Sequence, residues 1–421
     1  MFFLIVITFL ISYILFNRDF FAPGMVYIES FMLAVLMAMI FNKPWDTSYS
    51  LFFLVYIIGT LVLFVFASAL AKGINTKGII LSKLSSFMYR GDVSPIHIST
   101  VLYIILLLFA IGSLYIYFKE VYRISAYLGN TSGINGMFYV FHNKYILATD
   151  ELEIKMSLTI RITNSLMMAL AFYFVYVFCN NVVRYGERIG KNIKYIIFPV
   201  LYIIELFIGS QRTGTIYIIF AFMFIGFTMI RQNNQWKKNN ENTFKIVFYS
   251  LIIIVLLALG LNWAGTFMGR TENQGVVAYF AGYLGGGIPN FSKFIDTHNI
   301  NLWGAIENAT DITTFRSYSG VRCNLCTWIS NIATMGVIKF EIYVFIVAYV
   351  YADIYYKYIY KKKISIFGDY ILILFAFAMR GILFAALTDI VMSHMIGIGY
   401  LLFCVFIFII DNLCRRRNIL K

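Results

Sequence analysis

Long apolar runs, broken by short polar clusters, fill most of the chain. A membrane-spanning helix needs about 20 apolar residues. Runs of that kind lie at roughly 1–16, 20–41, 50–71, 97–118, 158–181, 195–210, 213–230, 246–263, 331–356, 366–387 and 390–410. They are continuous and lack the alternation of barrel strands. A helix also satisfies every lipid-exposed backbone group within its own segment. The pattern predicts an all-α polytopic integral membrane protein with about 11 transmembrane helices in a single transmembrane domain over 1–421. The first run, MFFLIVITFLISYILF, has no basic flank before it and no small-residue cleavage site. It reads as a retained span, not a signal peptide.

Composition agrees with the pattern. The chain is 61% hydrophobic and 13% charged, with a mean hydropathy of +0.79. A soluble domain is about half apolar and a quarter charged. So much apolar surface requires the bilayer as solvent.

A net charge of +14 would suggest nucleic acid if it were clustered on one face, but its distribution excludes that reading. Basic residues fill alternate loops: Lys72, Lys77, Lys83 and Arg90; Arg184, Arg188, Lys191 and Lys194; Arg231, Lys237, Lys238 and Lys245; Lys357, Lys361, Lys362 and Lys363; and Arg415, Arg416, Arg417 and Lys421. This is the positive-inside pattern. With Arg18, these loops hold 21 of the 34 basic residues and only 7 of the 20 acidic ones, so they carry the entire +14. The basic clusters read as solvated retention signals against anionic headgroups. The parity puts the C-terminus in the cytoplasm and the N-terminus outside, with Arg18 the one cytoplasmic marker for the first two spans.

Two loops of the opposite side are long, 119–157 and 264–330, and long loops are usually functional or structured. In the second, Val276, Val277, Tyr279, Phe280, Tyr283 and Leu284 suggest an interfacial helix, which Gly285, Gly286, Gly287 and Pro289 are expected to break. The cytoplasmic loops are short, and the phosphate-loop pattern G-x-x-x-x-G-K-[ST] is absent, so a nucleotide-driven pump has no support. No clear internal repeat of the secondary-transporter kind is present. Of five cysteines, Cys323 and Cys326 form a C-x-x-C; a zinc site needs four ligands, and the pair reads as small residues at helical spacing.

The candidate chemistry lies on the outer side. Arg212 sits in the short turn Gly209-Ser210-Gln211-Arg212-Thr213-Gly214, and Arg380 near the outer end of an apolar span. An arginine deep in a span costs about 2.5–3.5 kcal/mol on insertion scales, so such a residue faces the bundle or a wet cavity unless it snorkels to the headgroups. Arg270, Arg316 and Arg322 belong to the long loop. Singly each is an ordinary surface charge; together they make an arginine-rich surface suited to bidentate phosphate binding. Gly285, Gly286 and Gly287 would let backbone amides approach an anion, or act as a plain hinge.

Glu205 lies seven residues before Arg212, so the two share a face if the helix runs on past Gly209. Glu29 is a second mid-span carboxylate, with Arg161 as a candidate structural partner. His298, Asp296, Glu272, Glu307 and Asp311 are outer-loop candidates for proton transfer; His394 and Asp389 lie near the start of the last span. Glu151 and Glu153 form an acidic pair that needs no ion to explain it, and no metal site or cofactor is expected.

Four stretches resemble the bacterial O-antigen or oligosaccharide repeat-unit polymerases of the Wzy type. They are Ile208 to Gly214; Tyr279-Phe280-Ala281-Gly282-Tyr283-Leu284-Gly285-Gly286-Gly287-Ile288-Pro289-Asn290-Phe291; Ser319-Gly320-Val321-Arg322-Cys323-Asn324-Leu325-Cys326-Thr327-Trp328; and Ala333 to Ile338. The likeness covers most of the chain in architecture and 200–340 in motif. Members of that family are drawn with twelve spans and an inside N-terminus, one span more than read here.

The resemblance implies a GT-C-like membrane glycosyltransferase architecture in the bacterial inner membrane, with the active site facing the periplasm. It implies a partner substrate, undecaprenyl-diphosphate-linked oligosaccharide, whose growing chain passes to a sugar hydroxyl on a new lipid-linked unit. It further implies a chain-length regulator and a flippase as partners, and no metal or nucleotide. On this reading Arg212, Arg270, Arg316, Arg322 and Arg380 hold the diphosphates, and Glu205, Asp311 or His298 supplies the base. Two alternatives stay open: a lipid-linked oligosaccharide flippase, and an O-antigen ligase.

Overall fold

The computed structural model describes residues 1–45, 49–76, 93–146, 154–236, 281–282, 284–298, 300–306, 315–319, 321–324, 327–361, 364–387, 391 and 397–415. Its principal elements are α1 (Phe2–Leu15), α2 (Pro23–Ile40), α3 (Leu51–Thr76), α4 (Thr100–Tyr127), α5 (Leu158–Cys179), α6 (Ile197–Ile208), α7 (Arg212–Asn233) and α8 (Gly287–Thr297). They continue with β1 (Phe315–Ser319), β2 (Val321–Asn324), α9 (Val337–Ile354), α10 (Ile366–Ala378), α11 (Arg380–Leu383) and α12 (Ile398–Arg415). Among the described residues, seven stretches are long and apolar enough to cross a membrane: Pro23–Ile40, Leu51–Asn75, Thr100–Tyr127, Leu158–Arg184, Gly214–Asn233, Ile366–Leu383 and Ile398–Arg415. The chain is a helical polytopic membrane protein. A helix also stands at the runs 1–16, 195–210 and 331–356, while 246–263 lies outside the described residues.

Strand structure was not expected. β1 and β2 form an antiparallel hairpin, with Arg316 opposite Cys323 and an irregularity between Arg316 and Ser319. The helical reading of Cys323 is therefore corrected: it is a strand residue, and Cys326 lies outside the described residues.

The chain divides into two compact units interleaved in sequence. Unit 1 comprises Met1–Phe87, Gln274–Lys362 and Ala378–Ile396; unit 2 comprises Met88–Asn273, Lys363–Phe377 and Gly397–Lys421.

In unit 1, α3 and α9 pack along their lengths in the same direction. Thr60 Oγ1 donates to Glu341 Oε1 at 2.6 Å near one end, and Asn75 Nδ2 to Asp353 Oδ1 at 2.9 Å near the other. The core beside them is aromatic. Tyr27 of α2 stacks on Phe64 of α3 at 3.9 Å, and the fully buried Trp328 meets Tyr27, Phe64 and Phe340 edge-on. Such pairs add about 0.5–1.5 kcal/mol beyond the area they bury. The 264–330 segment is ordered where described: α8 packs against the hairpin, and 300–306 is sewn to the start of α9 by Ile306 N–H to Ala333 O at 2.7 Å and Ile338 N–H to Leu302 O at 3.0 Å.

In unit 2, α4 runs nine residues beyond the expected span end at 118, to Tyr127. Past 118 it is amphipathic, and Tyr117, Val121 and Ile124 bury against Met137, Phe141 and Ile160. Much of the expected 119–157 loop is thus helix packed on helix. Ser157 caps α5, and Glu120 ties Ser157 N–H at 3.2 Å to a double bond from Arg123. Phe172, Phe377 and Phe403 join α5, α10 and α12, with Phe377 stacked on Phe403 at 4.0 Å.

A polar network closes one end of unit 2. After Cys179 the helix widens to π geometry over Asn180–Arg184. Arg184 then grips Asp369 with both arms of its guanidinium, at 2.7 and 2.8 Å. The same two terminal nitrogens also donate to Asn180 and Gln232. Tyr176 donates to Asp369 at 2.7 Å and accepts from Arg415 at 2.7 Å, and Arg415 pairs with Asp411. The Arg184 side chain is 3% exposed and that of Asp369 2%. This corrects the reading of Arg184 and Arg415 as solvated retention signals; Arg188, Lys191 and Lys194 are exposed as expected. Nearby, Asn181 mimics a strand partner by bonding both N–H and C=O of Ile96 at 2.9 Å.

Candidate functional site

The turn between α6 and α7 is built for a sharp break. Gly209 N–H bonds Glu205 O at 3.0 Å, Ser210 N–H bonds Phe207 O at 3.1 Å, and Gln211 N–H reaches back to Leu206 O at 2.8 Å. The last two are the paired bonds of a Schellman ending. Its left-handed residue is Ser210, at φ +56°, where glycine is usual. The glycine stands one position earlier because of packing: a Cβ on Gly209 would lie 2.1 Å from Tyr117 Oη of α4. Gly209→Ala is expected to cost about 1–3 kcal/mol, as overpacking does. Tyr117→Phe should restore part of that loss, because the next ring atom is 3.1 Å away. Thermal unfolding of the single and double variants checks this.

The helix therefore does not run from Glu205 to Arg212, and the expected shared face is corrected. The Schellman turn ends α6, and α7 begins afresh with Arg212 as its first residue. No side chain among the described residues caps that start. Uncapped first-turn amides and the positive end of the helix dipole favour an anion.

Several buried polar groups stand on the residues that flank this turn in sequence and on the helices beside α6. Glu205 is fully buried, and neither carboxylate oxygen has a hydrogen-bond partner among the described residues. Asn164 of α5 lies beside it without forming a well-shaped bond, and Tyr117 is within electrostatic reach. The buried hydroxyls of Ser210 and Thr215 are likewise unpartnered. A carboxylate with spare lone pairs can accept a proton from a hydroxyl brought within about 3 Å. Hydroxyls and backbone amides can bond phosphate or sugar oxygens.

The other candidates fall as follows. Unit 1 holds Gly285, Gly286, Gly287, His298, Arg316, Arg322 and Arg380; unit 2 holds Glu205 and Arg212. Arg380 is 8% exposed and opens the short α11, after a break at Met379, so it is buried instead of snorkelling at the surface. The residues that follow are pinned within unit 1 by Trp328 N–H to Ala385 O at 2.8 Å and Ala386 N–H to Ser30 Oγ at 3.2 Å.

The expected glycine-rich break is corrected to a single turn at Gly286. Gly285 is helical and the helix resumes at Gly287, with Pro289 in its first turn, where proline is tolerated. Gly286 N–H is spent on Gly282 O at 3.0 Å. A Cβ on Gly285 would lie 2.6 Å from Ala34 O of α2. Gly285 thus serves close helix packing, and the Gly286 amide is not free for an anion.

His298 ends α8. Its Nδ1 lies 2.9 Å from both Phe294 O and Thr297 Oγ1, and its ring stacks on Phe294 at 4.2 Å. That is a helix-ending role. Asp296 is exposed on α8. Glu29 forms no ion pair among the described residues, and Arg161 is exposed on α5. Arg316 and Arg322 have described backbone only, as strand residues. Arg270, Asp311, Glu272, Glu307, Glu151, Glu153, Asp389 and His394 lie outside the described residues. No group of three or more His, Cys, Asp or Glu suited to a metal occurs among the described residues.

Of the polar residues at and around this turn, the sequence singled out Glu205 and Arg212 but not Ser210, Thr215, Tyr117 or Asn164. One signal was available: a glycine-serine pair interrupting an apolar run marks a turn, and the polar residues beside it line that turn.

No family model, curated protein or solved structure matches the chain.

Proposed function

We propose that the protein is a membrane glycosyltransferase of GT-C-like architecture. It polymerises undecaprenyl-diphosphate-linked oligosaccharide repeat units into a surface polysaccharide on the periplasmic face of the bacterial inner membrane. The observation that carries this reading is the turn between α6 and α7. An uncapped helix start headed by Arg212 stands in the same unit as the buried, unpartnered Glu205, one short turn earlier.

The reaction asks for such groups. As the glycosidic bond breaks, the lipid diphosphate leaves with developing negative charge. Preorganised donors in a low-dielectric site stabilise that charge. Arg212 and the α7 amides supply them in unit 2. Arg380, Arg316 and Arg322 belong to unit 1 and are separate candidates, while Arg270 and Asp311 lie outside the described residues. The acceptor sugar hydroxyl must lose its proton, and Glu205 is the base assigned to take it. The glycan profile of a strain lacking the chain tests this reading, because a lost polymerase, flippase or ligase each leaves a different residue of surface sugar.

A further inference from the structure

Unit 1 contains a polar cluster that the proposed reaction does not use. Glu341, near the start of α9, receives the Thr60 hydroxyl on Oε1 at 2.6 Å, while its Oε2 is buried without a partner. Tyr56, one turn before Thr60 on α3, places its hydroxyl beside both groups but forms no well-shaped hydrogen bond. Tyr27 of α2 is 0% exposed and lies within electrostatic reach of Glu341 and Tyr56; its hydroxyl is also unpartnered. Three helices thus bring one carboxylate oxygen and two phenol oxygens to one buried place, where Tyr56 leans on Glu341 and Thr60 and none of the three oxygens has a hydrogen bond of good geometry among the described residues. Such groups are costly in a low-dielectric interior unless something satisfies them.

The surrounding charges define what that is. The groups facing Glu341 are Tyr56 and Thr60 from α3 and Tyr27 from α2. Glu29, also on α2, has Asp19 as its charged neighbour. On α9 itself Lys339 is exposed, and Asp353 is bonded to Asn75 at the far end. No lysine, arginine or histidine pairs with Glu341 among the described residues. One negative charge amid hydroxyl oxygens matches one positive charge. A divalent ion would call for more carboxylates, and an anion is repelled.

We propose that Glu341, Thr60, Tyr56 and Tyr27 form an intramembrane site for a single monovalent cation, either sodium or a proton. Sodium would be held by the carboxylate and hydroxyl oxygens. A proton would sit on Glu341 and be donated to a tyrosine oxygen. Ligand bound only by the folded state stabilises it, and the stabilisation grows with ligand concentration.

The test is thermal unfolding of the purified full-length chain in detergent. Sodium chloride is compared with choline chloride at constant ionic strength, across pH 5.5 to 8.5, for wild type, Glu341→Gln and Tyr27→Phe. A sodium site predicts a saturable rise in melting temperature of several degrees with sodium at high pH, weakened by acid and lost in Glu341→Gln. A proton site predicts no sodium effect but a rise as pH falls, since the folded state binds the extra proton, again lost in Glu341→Gln. Tyr27→Phe removes one oxygen and should shift the sodium or proton midpoint by at least about threefold, that is about 0.65 kcal/mol at 25 °C. This variant decides the matter if Glu341→Gln does not fold. Sodium and pH profiles parallel to wild type in the variants would overturn the proposal.

Discussion

Alanine at position 212 is expected to abolish long polymer while leaving single capped units on the cell surface at normal expression. Arg212 heads α7, whose start carries no side-chain cap among the described residues, and the proposed function assigns it to the leaving diphosphate. Removing one donor to a developing oxyanion costs roughly 100- to 1,000-fold in rate. A processive reaction slowed that far yields no ladder. Arg212→Lys keeps the charge but loses the planar fork, and should recover only part of the chain length. Polymer of unchanged length from a normally expressed Arg212→Ala protein would remove Arg212 from the site. Because Arg212 follows the Schellman turn and does not extend α6, this variant should leave the melting temperature close to wild type.

Asp369→Asn is expected to cost about 3–5 kcal/mol of stability, as breaking a buried ion pair by removing one partner does. Arg184 would keep its bonds to Asn180 and Gln232 but lose the carboxylate that neutralises it. Asparagine leaves one acceptor oxygen where Asp369 offers two, so Tyr176 and Arg184 would compete for it. Thermal unfolding in detergent should show a large fall in melting temperature. The double variant Arg184→Met, Asp369→Leu should recover much of it, because a hydrophobic pair of similar size carries no desolvation penalty. An Asp369→Asn protein as stable as wild type would show that the network does not hold this end of unit 2 together.

The positions of the helices were legible because a bilayer imposes one simple demand: long apolar runs. Where helix and apolar run differ, the sequence misled. Hydropathy marks where the apolar stretch ends at 118, but α4 continues to Tyr127 on an amphipathic face that packs within the protein. The pairing of β1 with β2 was missed because two short strands leave little periodicity to detect. Arg184 was read as a topology signal because a charge count does not show burial. Its burial depends on the π-helical widening after Cys179, which lets Asn180, Asn181 and Arg184 all turn to partners.

Glu205 and Arg212 were legible as charges at unusual depth. Their relation was not, since Ser210 in a left-handed conformation is rare and Gly209 is fixed by Tyr117, far away in sequence. The Glu341 cluster was invisible for a related reason. Tyr27, Tyr56 and Thr60 pass for ordinary span residues until three helices bring them together.

Polymerisation by this chain can be tested on one gel, by separating the surface polysaccharide of a strain from which the chain has been deleted. The expected result is single repeat units on the surface with the ladder of longer chains gone, restored by the wild-type chain. No surface sugar at all would indicate the flippase, and loss of every capped core the ligase. A ladder that persists unchanged would contradict the assignment.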